Sequence, residues 1–311
     1  MPQVLTDGLS LGFLYAVVAL GYTLVYGILE FINFAHSEIF MFGAFVGMEV
    51  LNFLGATKIL GFVPDTIPLL LALLGAASLA AMLGWVVERL CYRPLRGAPR
   101  LVPLITAIGV SFVIDDLVRI VWSAWRGNFQ FGVPVLFKGG YQLSYYQVPY
   151  RAVVMASVGV LMMVGLYWFV NRTKIGKAMR AVAQDRNTAS LMGINVDRVI
   201  SITFLVGGAL GGAAGVLYAM YYTTLNPFIG YVLGIKSFTA AVFGGIGNLQ
   251  GAMLGGILLG LFESFGAAYL GRLTHNAFGP EYKDLFAFVI LITVLIFRPG
   301  GLLGQNVPEK V

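Results

Sequence analysis

The chain has 311 residues, 59% of them apolar and only 11% charged, and its 20 basic and 14 acidic residues leave a formal charge of +6. A water-soluble domain keeps about a quarter of its residues charged, so this composition excludes a soluble globule and makes hydrocarbon the main solvent. One cysteine and two histidines exclude an internal disulfide and a standard zinc site; no metal or cofactor is expected. The basic residues lie beside apolar spans, where they report topology and not a nucleic-acid partner.

A spanning helix takes about 20 mostly apolar residues. In chain order the candidates are 8–29, 67–87, 101–123, 152–170, 199–222, 250–270 and 284–298. Two more, 34–54 and 228–246, are apolar but interrupted by polar residues or glycine, and are read as full or discontinuous spans. The expected architecture is an all-α polytopic bundle of eight or nine crossings forming one transmembrane domain over 1–311. The opening Met1–Asp7 lacks a basic n-region and no small-residue cleavage site follows, so the first span is expected to be retained.

Between the first two spans, Asn33, His36, Ser37 and Glu38 lie directly against apolar sequence. Polar groups at membrane depth face a bundle interior or a wet cavity; otherwise these residues form a short solvated loop. The next loop, 88–100, carries Arg89, Arg93, Arg96 and Arg100. Asp115 and Asp116 precede Arg119 by four and three residues within a span, a spacing that permits a helix-face ion pair. The loop 124–151 is poor in basic residues, and its Tyr141, Tyr145, Tyr146 and Tyr150 suit an outer aromatic belt.

The loop 171–198 is basic again, with Arg172, Lys174, Lys177, Arg180, Arg186 and Arg198. Excess Lys and Arg mark cytoplasmic loops, so 88–100, 171–198 and the C-terminus, with Arg298 and Lys310, are placed inside. Ile175, Ala178, Met179 and Val182 form the apolar stripe of an amphipathic helix. Asp185 to Thr188 interrupt it, and a short second turn, with Thr188 as its expected cap, ends at Gly193. Such an element suits either a soluble partner or an anionic lipid surface.

Glycines recur every four residues at 207, 211 and 215, at 208 and 212, at 251 and 255, and at 256 and 260, the spacing of close helix packing in membranes. Gly244, Gly245 and Gly247 form either a break lining a path or a tight turn before the next span. Glu263 lies within a span with no partner on its own helix. No phosphate-binding loop, G-x-S-x-G elbow or H-E-x-x-H motif occurs, so an enzyme has no residues to stand on.

Several stretches together resemble one family, the permease subunits of branched-chain amino acid ABC transporters. They are Ile32-Asn33-Phe34-Ala35-His36 with Gly43-Ala44; Glu88-Arg89 with Tyr92-Arg93-Pro94-Leu95-Arg96; Gly193-Ile194-Asn195-Val196-Asp197-Arg198; Phe238 to Val242 with Gly244-Gly245-Ile246-Gly247 and Gly251-Ala252-Met253; and Arg298-Pro299-Gly300-Gly301-Leu302-Leu303-Gly304. Ser37 departs from the glycine usual after the histidine. The resemblance implies a bacterial inner-membrane importer in which a second, related permease completes the pathway. Two cytoplasmic ATP-binding subunits would dock on a coupling element at Gly176–Gly193, with Met179, Asp185, Arg186 and Gly193 as candidates, and an extracytoplasmic solute-binding protein would deliver the substrate. Branched-chain amino acids lead, with related small amino acids and amides behind. Asn33, His36, Ser37, Glu38, Gly244, Gly245 and Gly247 are the pathway candidates. A secondary transporter or channel working without an ATPase is the alternative.

Overall fold

Every apolar stretch becomes a helix in the computed structural model, which describes residues 1–57, 63–99, 101–127, 130–143, 146–275 and 278–304. Arg100, Tyr145 and Lys310 lie outside the described residues. The long helices are α1 (Pro2–Leu29), α2 (Ala35–Ala56), α3 (Thr66–Val87), α4 (Leu101–Arg126) and α5 (Tyr150–Arg172). The inner loop then folds as α6 (Lys174–Gln184) and α7 (Arg186–Leu191), followed by α8 (Val196–Tyr222), α9 (Ile229–Gly244), α10 (Leu249–Leu273) and α11 (Lys283–Phe297). Seven helices among the described residues are long and apolar enough to cross a membrane: α1 to α5, α8 and α10. Helices α9 and α11, at 16 and 15 residues, are shorter.

The segment 34–54 is one unbroken helix, and its polar residues occupy the first turn without interrupting it. In 228–246 the break is real: α9 stops at Gly244, and Gly245 and Gly247 both take positive φ, 106° and 93°. The loop after α4 is not wholly irregular. It holds the two-residue strand β1 (Phe131–Gly132) and the hairpin strands β2 (Gly140–Leu143) and β3 (Tyr146–Pro149), while β4 (Thr224–Leu225), after α8, pairs antiparallel with β1. Tyr141 packs edge-on against Tyr150 with ring centres 4.9 Å apart.

Helices α1, α2 and α8 form the buried centre, with α3, α4 and α5 outside them and most of their residues uncovered by the chain itself. Apolar burial does little to associate helices in lipid, where close packing and interhelical polar contacts take over. The glycine rows serve this packing. A Cβ on Gly256 or Gly260 of α10 would meet the backbone of α1 at Ala16 or Gly12. One on Gly208 of α8 would lie 2.6 Å from the Ala80 carbonyl of α3, and Gly43 of α2 is crossed by Gly212.

The helices alternate in direction, which collects the ends of α1, α3, α5 and α9 and the starts of α2, α4, α8 and α10 on one face with α6 and α7. Tyr26 and Ile28 of α1, Met179 and Arg180 of α6, residues 246–250 and Gly304 are among those lining one cavity of about 750 Å³ there. The opposite face joins Tyr221 to Asp7 at 3.5 Å and the Phe137 amide to Asp65 at 2.6 Å. The two strongly basic loops thus share a face, as their charge requires.

Candidate functional site

The basic face is held together by polar residues that the sequence scatters over more than 150 positions. Tyr92 donates its hydroxyl to Asn33 Oδ1 at 2.7 Å, and both residues are buried. Glu88 is fully buried, accepts from Ser201 Oγ at 2.7 Å and pairs with Arg96. Arg96 also pairs with Asp197, which binds Arg93 at 2.6 Å. The motifs around Asn33, Tyr92–Arg96 and Asp197 are therefore one physical unit, tying the end of α3 to the starts of α2 and α8.

The α6–α7 pair stands beside this unit. Thr173 caps α6 by accepting from the Gly176 amide at 3.0 Å. Met179 and Val182 are buried against the bundle, so that part of the α6 stripe faces inward, while Ile175 at its start is exposed. Asp185, not Thr188, caps α7: its carboxylate accepts from the Asn187 and Thr188 amides at 2.8 and 3.1 Å, and the Thr188 hydroxyl donates to it at 2.6 Å. A carboxylate reaches the first free amides of a helix and suits its positive end, which the sequence expectation of a threonine cap missed. The Thr188 hydroxyl, then the Thr188 and Asn187 amides, hold the Asp185 carboxyl below its usual value. The cap is therefore present at neutral pH and fades as pH falls through that lowered value. Gly193 closes the turn at φ 83°. Arg186 Nη2 donates to the Ile28 carbonyl at 2.7 Å, one of the carbonyls left free at the end of α1. At the tip, Leu191 and Met192 are 87% and 79% exposed.

His36, Ser37 and Glu38 are buried deeper, where α2 crosses α1, α8 and α9. His36 fills space left by Gly21 and Gly211, and its Nε2 has no hydrogen-bond partner. Ser37 donates to the Phe34 carbonyl at 2.8 Å and lies against Gly234. Glu38 faces Ser111 on α4 and Gly230 on α9. Gly244, at the end of α9, and Gly245 and Gly247, in the turn before α10, sit apart from these residues. The Leu302 and Leu303 amides donate there to the Phe243 and Gly244 carbonyls at 2.9 and 3.0 Å. A Cβ on Gly245 would stand 2.5 Å from the Gly304 amide nitrogen. The glycine run is thus a clamped turn, and Gly247 faces the cavity beside α6.

A second intramembrane group was only half visible in the sequence. Asp115 and Asp116 bind Arg119 at 2.8 and 2.9 Å as their spacing requires. Glu263 finds its partners on other helices: Tyr15 at 2.6 Å, Lys236 at 3.0 Å and Lys283 at 2.8 Å, with Lys236 also binding Asp284 at 2.7 Å. Lys236 sits in the middle of an apolar stretch of α9, a signal that could have pointed to this network. No cluster of metal-binding side chains occurs among the described residues.

A polytopic helical bundle with a basic face, a capped amphipathic pair on that face and polar side chains sealed within it defines a membrane permease. The family described as branched-chain amino acid transport system / permease component matches residues 4–295. The chain belongs to this family. It is 43% identical to the high-affinity branched-chain amino acid transport system permease protein BraD of Pseudomonas aeruginosa, over 99% of this chain and 97% of that one. It is 40% identical to the corresponding permease protein LivH of Escherichia coli, with the same coverage. It also shares 25% identity with the probable branched-chain amino acid transport permease protein LivM of Methanocaldococcus jannaschii, over 76% of this chain and 68% of that one. No solved structure matches.

Proposed function

We propose that this chain forms one half of the pathway of an ATP-driven importer for branched-chain amino acids or related small amino acids, with a second, related permease as the other half. The matches to permeases named for both LivH and LivM favour a pair of distinct chains. Two ATP-binding subunits act from the basic face, and a solute-binding protein delivers substrate to the other. The observation that carries the reading is the α6–α7 element: Met179 and Val182 anchor it to the bundle, while Leu191 and Met192 project where nothing among the described residues covers them. Exposed apolar side chains on a rigid tip suit docking to a soluble partner. A push on α7 reaches α1 through Arg186 and the Ile28 carbonyl. The Asn33–Tyr92 contact joins the start of α2 to α3 on the same face, and from there motion reaches His36, Ser37 and Glu38.

The paired change Leu191→Asp with Met192→Asp should lower ATP-dependent uptake at least tenfold, the scale of losing about 1.4 kcal/mol at one contact. The ATP-binding subunits should no longer co-purify, while the permease stays in the membrane, because both side chains are exposed. Uptake and co-purification equal to the parent would sink the docking assignment. Uptake that persists after ATP depletion would favour a secondary transporter.

The same reading sets the topology. In a Cys91→Ala background, Gly97→Cys and Asn187→Cys should resist an impermeant thiol reagent in whole cells, whereas Gly132→Cys, in β1, should be labelled. A Cβ at Gly97 or Gly132 meets nothing within 4 Å, so the substitutions should not disturb the fold. Labelling at Gly97 and Asn187 but not at Gly132 would reverse the orientation and move the C-terminus outside.

A further inference from the structure

We propose that Glu38, with Ser111 and Asp115 beside it, is a subsite for the α-ammonium group of the amino acid as it crosses the membrane. The inference rests on the importer reading above and names the chemistry of one point along its path.

Three stripes of four-residue spacing converge there: Glu38 and Phe42 on α2, with Phe34 just before it; Ser111, Asp115 and Arg119 on α4; Gly230, Gly234 and Phe238 on α9. Glu38 is 3% exposed. Its Oε1 lies 3.4 Å from both Ser37 Oγ and Ser111 Oγ, and its Oε2 has no hydrogen-bond partner. Gly230 and Gly234 leave room on α9 that the Glu38 carboxylate and Ser37 occupy, so the free oxygen lies directly against the α9 backbone. Gly230 stands 14 residues above the α9 end at Gly244 and Ser111 stands 10 above the α4 start at Leu101. At 1.5 Å per residue, this puts Glu38 roughly 15–20 Å from the inner ends of α4 and α9, so the start of α2, three residues away, is sunk into the bundle below those ends.

The charges do not balance. Arg119 is shared by Asp115 and Asp116, and no basic side chain among the described residues pairs with Glu38. Three carboxylates therefore face one guanidinium, and Asp115 Oδ1 is also buried without a partner. The Glu263 network, with Lys236 and Lys283 set against Glu263 and Asp284, shows that this bundle can neutralise buried carboxylates. A buried carboxylate without a cation is costly and points to a function. The missing group is a small cation with hydrogen-bond donors. A primary ammonium has three, enough for Glu38 Oε2, Ser111 Oγ and Asp115 Oδ1. Access fits as well: among the spanning helices α4 packs mainly on α2. Asp116, Phe228 and Tyr231 are exposed, so the α4–α9 flank is uncovered among the described residues.

The test uses the assembled transporter in detergent, without the binding protein, and follows its melting temperature with three probes: leucine, leucinol (an ammonium without a carboxylate) and 4-methylpentanoate (a carboxylate without an ammonium). Leucine and leucinol at saturation should raise Tm by about 3 °C, and 4-methylpentanoate should not. Glu38→Gln should abolish the response to leucinol. Ser111→Ala, a gentler change that serves if Glu38→Gln fails to assemble, should weaken leucinol binding about tenfold. A response to 4-methylpentanoate as large as that to leucinol would overturn the proposal. So would a leucinol response unchanged in Glu38→Gln or, where that variant fails, in Ser111→Ala. No leucinol response in the parent would also overturn it; that is the outcome expected if a basic side chain of the second permease already occupies Glu38. ATP-dependent leucine uptake by the same parent transporter, reconstituted into vesicles with its binding protein, separates the two readings. Uptake without a leucinol response removes only the subsite, and absence of uptake removes the importer assignment itself.

Discussion

Replacing Glu263 by alanine should destabilise the membrane-embedded fold by about 3–5 kcal/mol, the scale measured when one member of a buried ion pair is removed. The carboxylate is 2% exposed and ties α10 to three other helices through Tyr15 of α1, Lys236 of α9 and Lys283 of α11, with Asp284 linked through Lys236. Without it, Lys236 keeps only the partly exposed Asp284, and the Tyr15 hydroxyl loses its acceptor. The double change Glu263→Leu with Lys236→Met should do less harm than Glu263→Ala alone, because it removes the two buried charges together, and the Lys283 and Asp284 that lose their partners are partly exposed. Tyr15→Phe should cost about 1.5–3 kcal/mol, the range for a hydrogen bond to a charged group. Protease resistance and thermal aggregation of the purified permease would show the order. If Glu263→Ala melts like the parent, the network does not hold α9, and the contrast with the unbalanced Glu38 site loses its footing.

Gly256→Leu should be as damaging by a different route. A Cβ at Gly256 falls on the Cα and amide nitrogen of Ala16, so the obstacle is backbone, which no rotamer change can clear. Overpacking usually costs about 1–3 kcal/mol and can exceed that when whole elements must separate. Here α1 and α10 would have to move apart along the contact that also aligns Tyr15 with Glu263. Gly165→Leu is the control, also within a helix but with nothing within 4 Å of the added Cβ. The measurement is the yield of monodisperse protein and its melting temperature. Equal behaviour of the two variants would mean that the glycine row on α10 is not a packing seam. Gly245→Leu belongs with Gly256→Leu: its φ of 106° and the neighbouring Gly304 amide make it a folding defect before it is a transport defect.

Much of this was legible in the residues. The basic stretches 88–100 and 171–198, separated by two spans, require a common face. The i, i+4 and i, i+3 spacing of Asp115, Asp116 and Arg119 required their ion pair. The stripe Ile175, Ala178, Met179 and Val182 gave α6, and Gly193 gave the stop after α7. The sequence could not say which way that stripe faces. Met179, a candidate for docking, is turned into the bundle, whereas Leu191 and Met192, unremarkable as two apolar residues before a glycine, form the exposed tip. Glycine spacing pointed to tight helix contacts but not to their partners, since Gly208 could meet any neighbour and in fact meets Ala80 of α3.

The sequence alone determined that the chain lives in a bilayer, how many apolar stretches it offers, which loops share a face, and the family it resembles. These follow from local properties: transfer of side chains to hydrocarbon, helical periodicity within one segment, and charge counted loop by loop. Tertiary structure decided which polar residues are satisfied and which are not. Glu263 is neutralised because α9 brings Lys236 and the start of α11 brings Lys283, whereas Glu38 is left with two hydroxyls and a free oxygen. The two glutamates look alike in their segments. Their difference arises between helices far apart in the chain, because in hydrocarbon a charge is settled by what stands across the helix interface and not by its neighbours in sequence.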